Sequence, residues 1–405
     1  MKRGIVAGIV AGIVAVVLLI SGCQSNIPTT PIGFDDPIRF PAEKNAQNEY
    51  LLADATSFQE AEGFFCGTNL IGNYLQYYDK ASGISGVLCA DPSCSHDSVE
   101  CGAYIKSGAT LSYYDGKLYW IANESTNSGD VYLWKSDLSG TNREKIKCIS
   151  FEKVIYPYQP QRYVIHHGML YMLGISSVVD GTQTGHRVSL LSQDLSSNES
   201  FTVLYDEVFP YGASATARFV GESVYLSVVA FQGGGPIDLS VIKFDTERET
   251  SEVVYQETGI TENPGAIWVT EDHEIYLPGS TDKEAYIWKL ENNRRIEITS
   301  WSADKFSTPH VMDQIAAFFS LEENTRMVDI CDFSGATIYS GKLFPDSISG
   351  LDKDPNTYSF AVLGGDTEKL IINLTEFNGT ELVDYTILLD LKNNLKATIL
   401  WSSEK

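Results

Sequence analysis

The apolar residues of this 405-residue chain fall mostly into short runs with alternating polar positions, separated by Gly, Asp, Asn and Ser. Alternation with a period of two predicts β-strands, and the intervening residues predict tight turns. Long amphipathic helical patterns are absent after about residue 50. Two short patterns recur in the same order along this part of the chain, which predicts a repeated all-β unit.

The first pattern is a tight turn followed by a short strand of apolar and aromatic residues. Asp-Gly and related pairs supply the positive φ angles that hairpin turns require. The pattern occurs at 62–65, 115–120, 167–171, 221–225, 272–276, 313–318 and 364–372.

The second pattern is a strand that ends in an acidic residue and runs into a polar turn. A carboxylate at this place accepts hydrogen bonds from the backbone N–H groups of the turn, so a structural role is predicted for most of these acids. They are Asp79, Asp137, Asp194, Asp245, Glu291, Asp332 and Asp390.

Seven copies of a unit of about fifty residues, with about four short strands each, predict a β-propeller with one four-stranded sheet per blade. The predicted fold class is therefore all-β, with a single seven-bladed propeller over residues 51–405. A pair of β-sandwiches is the rival architecture, but it would not explain seven copies of both patterns in one order.

The N-terminus carries a different pattern. Lys2 and Arg3 precede the apolar run 4–20, which ends in Ile20-Ser21-Gly22-Cys23. A charged start, an apolar middle and a small-residue end are the parts of an export signal, and the last four residues resemble a bacterial lipobox. The alternative is a retained transmembrane helix, but 17 residues is the lower limit for a span. We predict a signal peptide over 1–22, palmitate-type lipidation of Cys23, and an extracytoplasmic protein anchored to the cell membrane.

The stretch 23–50 is predicted to be a tether, because it contains Pro28, Pro31, Pro37 and Pro41 and lacks a clear apolar period.

The charge of the chain restricts its partners. It has 53 Asp and Glu against 29 Lys and Arg, a net charge of −24. Such a surface repels nucleic acid and anionic lipid headgroups. The expected contacts are therefore the membrane, through the lipid on Cys23, and an unidentified envelope protein or glycan, with no nucleic acid.

The succession of aromatic strand, acid, Leu138-Ser139-Gly140-Thr141-Asn142 turn and exit strand resembles the TolB-like propellers. It also resembles a set of uncharacterised bacterial lipoproteins that carry such propellers. The resemblance covers roughly residues 55–401 and matches best over 113–146. It implies a propeller that serves as a protein-interaction platform in the cell envelope, and it transfers no catalytic residue to this chain.

Between the first and second units lies the segment richest in chemistry, with Cys89, Cys94, His96 and Cys101 within thirteen residues. Three thiols and one imidazole are a ligand set for tetrahedral zinc. However, one residue separates Cys94 from His96, so both side chains would have to turn inward from a single tight loop.

An oxidising compartment favours disulfides over zinc at these cysteines, with Cys66 as a candidate partner. Free thiols are the third alternative, and no other cofactor is expected. Cys148 and Cys331 lie in strand-like segments and are expected to be buried thiols.

No nucleophile elbow, phosphate loop or His-Glu-x-x-His motif occurs in the sequence. His166, His167 and His273 are expected to be solvated turn residues. The favoured function is a non-enzymatic protein-interaction or ligand-binding propeller. The alternative is a carbohydrate-binding or polysaccharide-degrading propeller that uses the mouth of the central channel.

Overall fold

The computed structural model describes residues 46–47, 57–60, 63–67, 74–105, 111–123, 131–149, 162–180, 183–197, 200–233, 235–302, 309–377 and 382–402. The predicted signal peptide, the lipidation site Cys23 and most of the predicted tether lie outside these residues. Among the described residues, no helix is long and apolar enough to cross a membrane.

The described residues form seven antiparallel sheets, named sheet 1 to sheet 7 in chain order. Sheets 1 to 3 consist of β2 (Ser57–Glu60), β3 (Gly63–Gly67), β4 (Leu75–Asp79) and β5 (Ile84–Val87); β6 (Leu111–Tyr114), β7 (Lys117–Asn123), β8 (Val131–Asp137) and β9 (Glu144–Ile149); and β10 (Arg162–His166), β11 (Met169–Asp180), β12 (Gln183–Asp194) and β13 (Thr202–Phe209).

Sheet 4 contains β1 (Ala46–Gln47), β14 (Ala213–Val220), β15 (Ser223–Phe231), β16 (Ile237–Asp245) and β17 (Thr250–Ile260). Sheet 5 contains β18 (Asn263–Pro264) and β19 (Trp268–Val269), which both pair with β20 (Ile275–Ser280), then β21 (Glu284–Glu291) and β22 (Arg294–Ser302).

Sheet 6 contains β23 (His310–Met312), β24 (Ile315–Glu322), β25 (Thr325–Asp332) and β26 (Thr337–Lys342). Sheet 7 contains β27 (Ser359–Gly365), β28 (Lys369–Phe377), β29 (Leu382–Asp390) and β30 (Lys396–Ser402). Two short 3-10 helices, η1 (Pro355–Thr357) and η2 (Leu391–Asn393), lie before and within sheet 7.

The sequence patterns coincide with these strands. The first pattern forms the turn between the first two strands of each sheet, where Asp115, His167, His273 and Gln314 have φ between 46° and 64°. The second pattern forms the third strand, which ends at the acidic residue in every sheet. Asp332, for example, accepts hydrogen bonds from the backbone N–H groups of Ser334 (2.8 Å) and Ala336 (3.0 Å). The predicted structural role of these acids is confirmed.

Each pair of consecutive sheets encloses an apolar core. Leu118 and Trp120 of sheet 2 pack with Leu75 of sheet 1, for example. Tyr225 of sheet 4 packs with Leu277 of sheet 5. Buried residues of sheets 6 and 7 form another such core. Four-stranded antiparallel sheets that pack face to face in chain order are the architecture of a β-propeller, so the predicted all-β class and propeller fold are confirmed.

Two predicted segments differ in the structure. Ala46 and Gln47, placed in the tether, form β1 and pair with Val220 and Phe219 at the free edge of β14. The segment 177–182, expected to be a flexible insertion, is mostly strand, because β11 and β12 extend their hairpin to the pair Asp180 and Gln183. Exposed edges and long hairpins satisfy backbone groups without leaving an apolar signal in the sequence.

Candidate metal centre

The cysteine and histidine residues between sheets 1 and 2 lie on one compact loop. Its course is fixed by short-range hydrogen bonds, as Asp91 accepts from the Ser93 N–H (2.8 Å) and the Cys94 N–H donates to the Asp91 carbonyl (3.2 Å). The Cys101 N–H donates to the Ser98 carbonyl (3.2 Å). Asp side chains stabilise such turns by accepting from the backbone two residues on. The loop thus returns to its starting point and places its two ends side by side.

Four candidate ligand atoms converge inside this loop. The Sγ atoms of Cys89, Cys94 and Cys101 and a ring nitrogen of His96 all lie within 4.8 Å of one another. His96 Nδ1 is 3.4 Å from Cys101 Sγ. Cys89 and Cys101 are buried, whereas Cys94 and His96 are partly exposed. The structure therefore brings together all four residues that the sequence singled out.

The backbone of His96 resolves the difficulty raised by the short spacing. Its φ is +55°, in the left-handed region that few non-glycine residues adopt. A left-handed residue reverses the chain within one step, so Cys94 and His96 can both direct ligand atoms inward. This conformation could not be inferred from the spacing.

Cys101 is the most enclosed of the three thiols. Burial raises the pKa of its thiol to about 12, and the neighbouring thiols Cys94 and Cys89 add to the shift, whereas the Ala103 N–H, 3.4 Å from Sγ, opposes it. An apolar environment penalises the thiolate, as it does any buried charge. A thiolate at this place is favoured only when a cation is close to it.

A buried arginine lies against the same loop. Arg143 Nη1 donates to the carbonyls of Gly102 (2.8 Å) and Tyr104 (2.6 Å), directly after Cys101. Its Cζ lies 5.1 Å from the ring centroids of both Trp120 and Trp134. Among the described residues, no carboxylate forms an ion pair with Arg143. Sequence reasoning missed this residue, which is 42 positions from Cys101.

The other cysteines are separate from this cluster. Cys331 is a buried thiol in β25, as expected, but Cys148 is exposed on the outer strand β9, which corrects the expectation for that residue. Cys66 lies in β3. Cys89, Cys94 and Cys101 are free thiols in the structure, and their pairing with one another or with Cys66 stays a prediction.

The turn histidines differ from the expectation of solvated side chains. His166 is 1% exposed, and its Nε2 lies 2.9 Å from the Gly221 carbonyl of the next sheet. Burial lowers its pKa to about 4. His167 stacks on His166 and lies 3.1 Å from Glu222. These contacts join sheets 3 and 4, so His166 is a packing residue.

No protein-family model and no curated protein sequence matches this chain. Solved structures do. A prolyl endopeptidase structure aligns with a TM-score of 0.52 at 11% identity, covering 87% of this chain and 50% of that chain. Prolyl oligopeptidase B from Galerina marginata aligns with a TM-score of 0.51 at 10% identity, covering 86% and 51%.

The β-propeller domain of the Trilobed protease from Pyrococcus furiosus also matches, with a TM-score of 0.49 at 10% identity, over 87% of this chain and 100% of that one. This chain spans about half the length of the two prolyl peptidases. At such identities the likeness shows a shared fold.

This finding corrects the functional expectation. The sequence favoured a non-enzymatic interaction or ligand-binding propeller, with a carbohydrate-binding or polysaccharide-degrading one as the alternative. The solved structures that share the fold over most of this chain are peptidases. Repeat patterns define blades in many unrelated proteins, so they carried no information on the enzyme class with which this propeller shares its fold.

Proposed function

We propose that this chain is a peptidase-associated β-propeller that works beside a peptidase catalytic unit on the outer side of the cytoplasmic membrane. The observation that carries this proposal is the alignment of nearly the whole chain with about half of each prolyl peptidase. The remaining half of those proteins has no counterpart within this sequence, so the proposed chemistry resides in a partner.

The proposal includes a closed ring of seven blades. Seven sheets follow one another in the described residues. Sheet 7 also packs against sheet 1, because Leu363, Leu400 and Trp401 form one cluster with Tyr78. Lys369 Nζ spans the same boundary, 2.6 Å from Asp366 and 3.3 Å from Glu60. We assign the finer likeness to lipoproteins with TolB-like propellers, and the lipid anchor at Cys23, to this proposal as well.

The hairpins that join the second and third strands of the sheets offer a surface for the partner. Equivalent hairpins of a propeller lie on one face, because successive sheets repeat the same strand order. Exposed apolar side chains occur on several of them. They are Val179, Phe231, Leu321, Phe377 and Leu382. Exposed apolar side chains gathered on one face are typical of protein-interaction sites.

The test is co-purification of peptidase activity. Intact cells would be crosslinked, the protein purified in mild detergent through a C-terminal tag, and the eluate assayed with a fluorogenic peptide that contains a Gly-Pro bond. We expect activity to co-purify with the wild-type protein and to be lost with the double variant Leu321→Ser and Phe377→Ser.

Val253→Ser is the matched control, because Val253 is equally exposed but lies on the outer strand β17. It should retain the activity. Equal activity in wild-type and mock eluates would overturn the proposal. Activity that remains with the chain after purification to homogeneity in a denaturant-refolding cycle would overturn the separate catalytic partner.

A further inference from the structure

We propose that Cys89, Cys94, His96 and Cys101 bind one Zn²⁺ ion in a closed tetrahedral site that joins sheets 1 and 2. The site is independent of the peptidase proposal, because it concerns the stability of the propeller rather than its partner. The observation behind it is the convergence of four ligand atoms within 4.8 Å.

The distances fit the metal. Zinc binds Cys sulfur at about 2.3 Å and His nitrogen at about 2.0–2.1 Å, so the edges of a Cys₃His tetrahedron measure about 3.5–3.8 Å. The separation of His96 Nδ1 and Cys101 Sγ, 3.4 Å, is already close to such an edge. Side-chain rotation of the partly exposed Cys94 can shorten the longer edges, since Cys94 lies at the surface of the loop.

The donor set selects the ion. Three thiolates and an imidazole suit Zn²⁺, whereas Ca²⁺ and Mg²⁺ require oxygen ligands. Four protein ligands leave no open position for water or substrate, which is typical of structural sites. Disulfides satisfy this loop less well, because three thiols cannot all pair among themselves and Cys66 would have to supply the fourth sulfur.

Charge complementarity supports the same assignment. Three thiolates and one Zn²⁺ carry one net negative charge. Arg143 supplies a buried positive charge beside Cys101 and is held there by the Gly102 and Tyr104 carbonyls and by two tryptophan rings. The Ala103 N–H, which donates to Cys101 Sγ, would stabilise the thiolate further.

The ion would hold a junction of the fold. The Leu75 N–H of β4 donates to the Ala103 carbonyl (2.9 Å), and the Tyr74 hydroxyl donates to the Ser98 carbonyl (3.1 Å). Cys89 and Cys101 themselves belong to the core between sheets 1 and 2. Metal binding at such a junction contributes directly to folding free energy.

Metal content tests the proposal. The full chain would be purified anaerobically with a phosphine reductant, and its zinc measured by plasma mass spectrometry. We expect one zinc per chain in the wild type and in Cys148→Ser, whose cysteine is exposed and lies outside the cluster. Cys94→Ser and His96→Ala should lose zinc to a chelator that leaves the wild type loaded.

Substitution with Co²⁺ gives a readout that does not depend on the variants folding. The wild type should show thiolate-to-cobalt charge transfer and the intense d–d bands of tetrahedral coordination. Two results would overturn the proposal. One is a protein that binds neither Zn²⁺ nor Co²⁺ when its thiols are reduced; the other is a disulfide between any two of the three cysteines in protein trapped with alkylating agent in intact cells.

Discussion

At the scale of single residues, the contact between Gly279 and Trp288 shows how closely sheet 5 is packed. A Cβ at Gly279 in β20 would lie 2.3 Å from Trp288 Cζ3 and 2.9 Å from its Cη2. The indole is 7% exposed and is held between Tyr286, with ring centroids 4.9 Å apart, and the Arg295 guanidinium, 4.8 Å from its ring. The ring therefore has little freedom to move aside.

We expect Gly279→Ala to lower the free energy of unfolding by about 1–3 kcal/mol, the usual cost of overpacking a core. Urea unfolding followed by tryptophan fluorescence would measure it. Gly235→Ala is the control, because no atom lies within 4 Å of its added Cβ. Equal midpoints for the two variants would show that the indole moves aside without cost.

At the scale of the elements, the acidic turns that end the third strands make stability depend on pH. Hydrogen bonds from turn N–H groups and hydroxyls lower the pKa of Asp194, Asp332 and Asp390 below the usual value. A carboxyl whose pKa is lower in the folded state stabilises the fold above its unfolded pKa, near 4. That contribution is lost as the pH falls through the lower, folded pKa.

We therefore expect the melting temperature to fall below about pH 4, and Asp332→Asn to be less stable than the wild type at pH 7 by a margin that narrows toward pH 2. Scanning calorimetry across this range would measure both. Asp282→Asn is the control, because Asp282 is exposed and no hydrogen bond of its carboxylate is described in the structure. A margin for Asp332→Asn that stays constant with pH would contradict the role of its charge.

The elements also show what could be predicted from sequence. The turn pairs such as Asp115-Gly116 and the strand-ending acids recur locally, and local patterns fix strands and hairpins without tertiary information. The burial of His166 depends instead on the Gly221 carbonyl of the next sheet, and the position of Arg143 depends on Trp120 and Trp134. Side chains placed by residues distant in sequence leave no local signal. The four candidate zinc ligands were found from their spacing, but their convergence depends on the left-handed backbone of His96.

At the scale of the whole molecule, the contact between the last and first sheets decides whether the propeller unfolds as a unit. Leu400 of β30 is fully buried in the cluster that joins sheet 7 to Tyr78 of sheet 1. Replacing a buried leucine by alanine costs about 2–5 kcal/mol, because it removes apolar contacts and leaves a cavity. We expect Leu400→Ala to shift the urea midpoint of the whole protein in a single transition, since a closed ring couples sheet 7 to every other sheet. Leu382→Ala, the same change at a 46% exposed position of the same sheet, should leave the midpoint nearly unaltered. An early separate transition in Leu400→Ala, with the remaining sheets unfolding at the wild-type midpoint, would show instead that sheet 7 detaches without the ring.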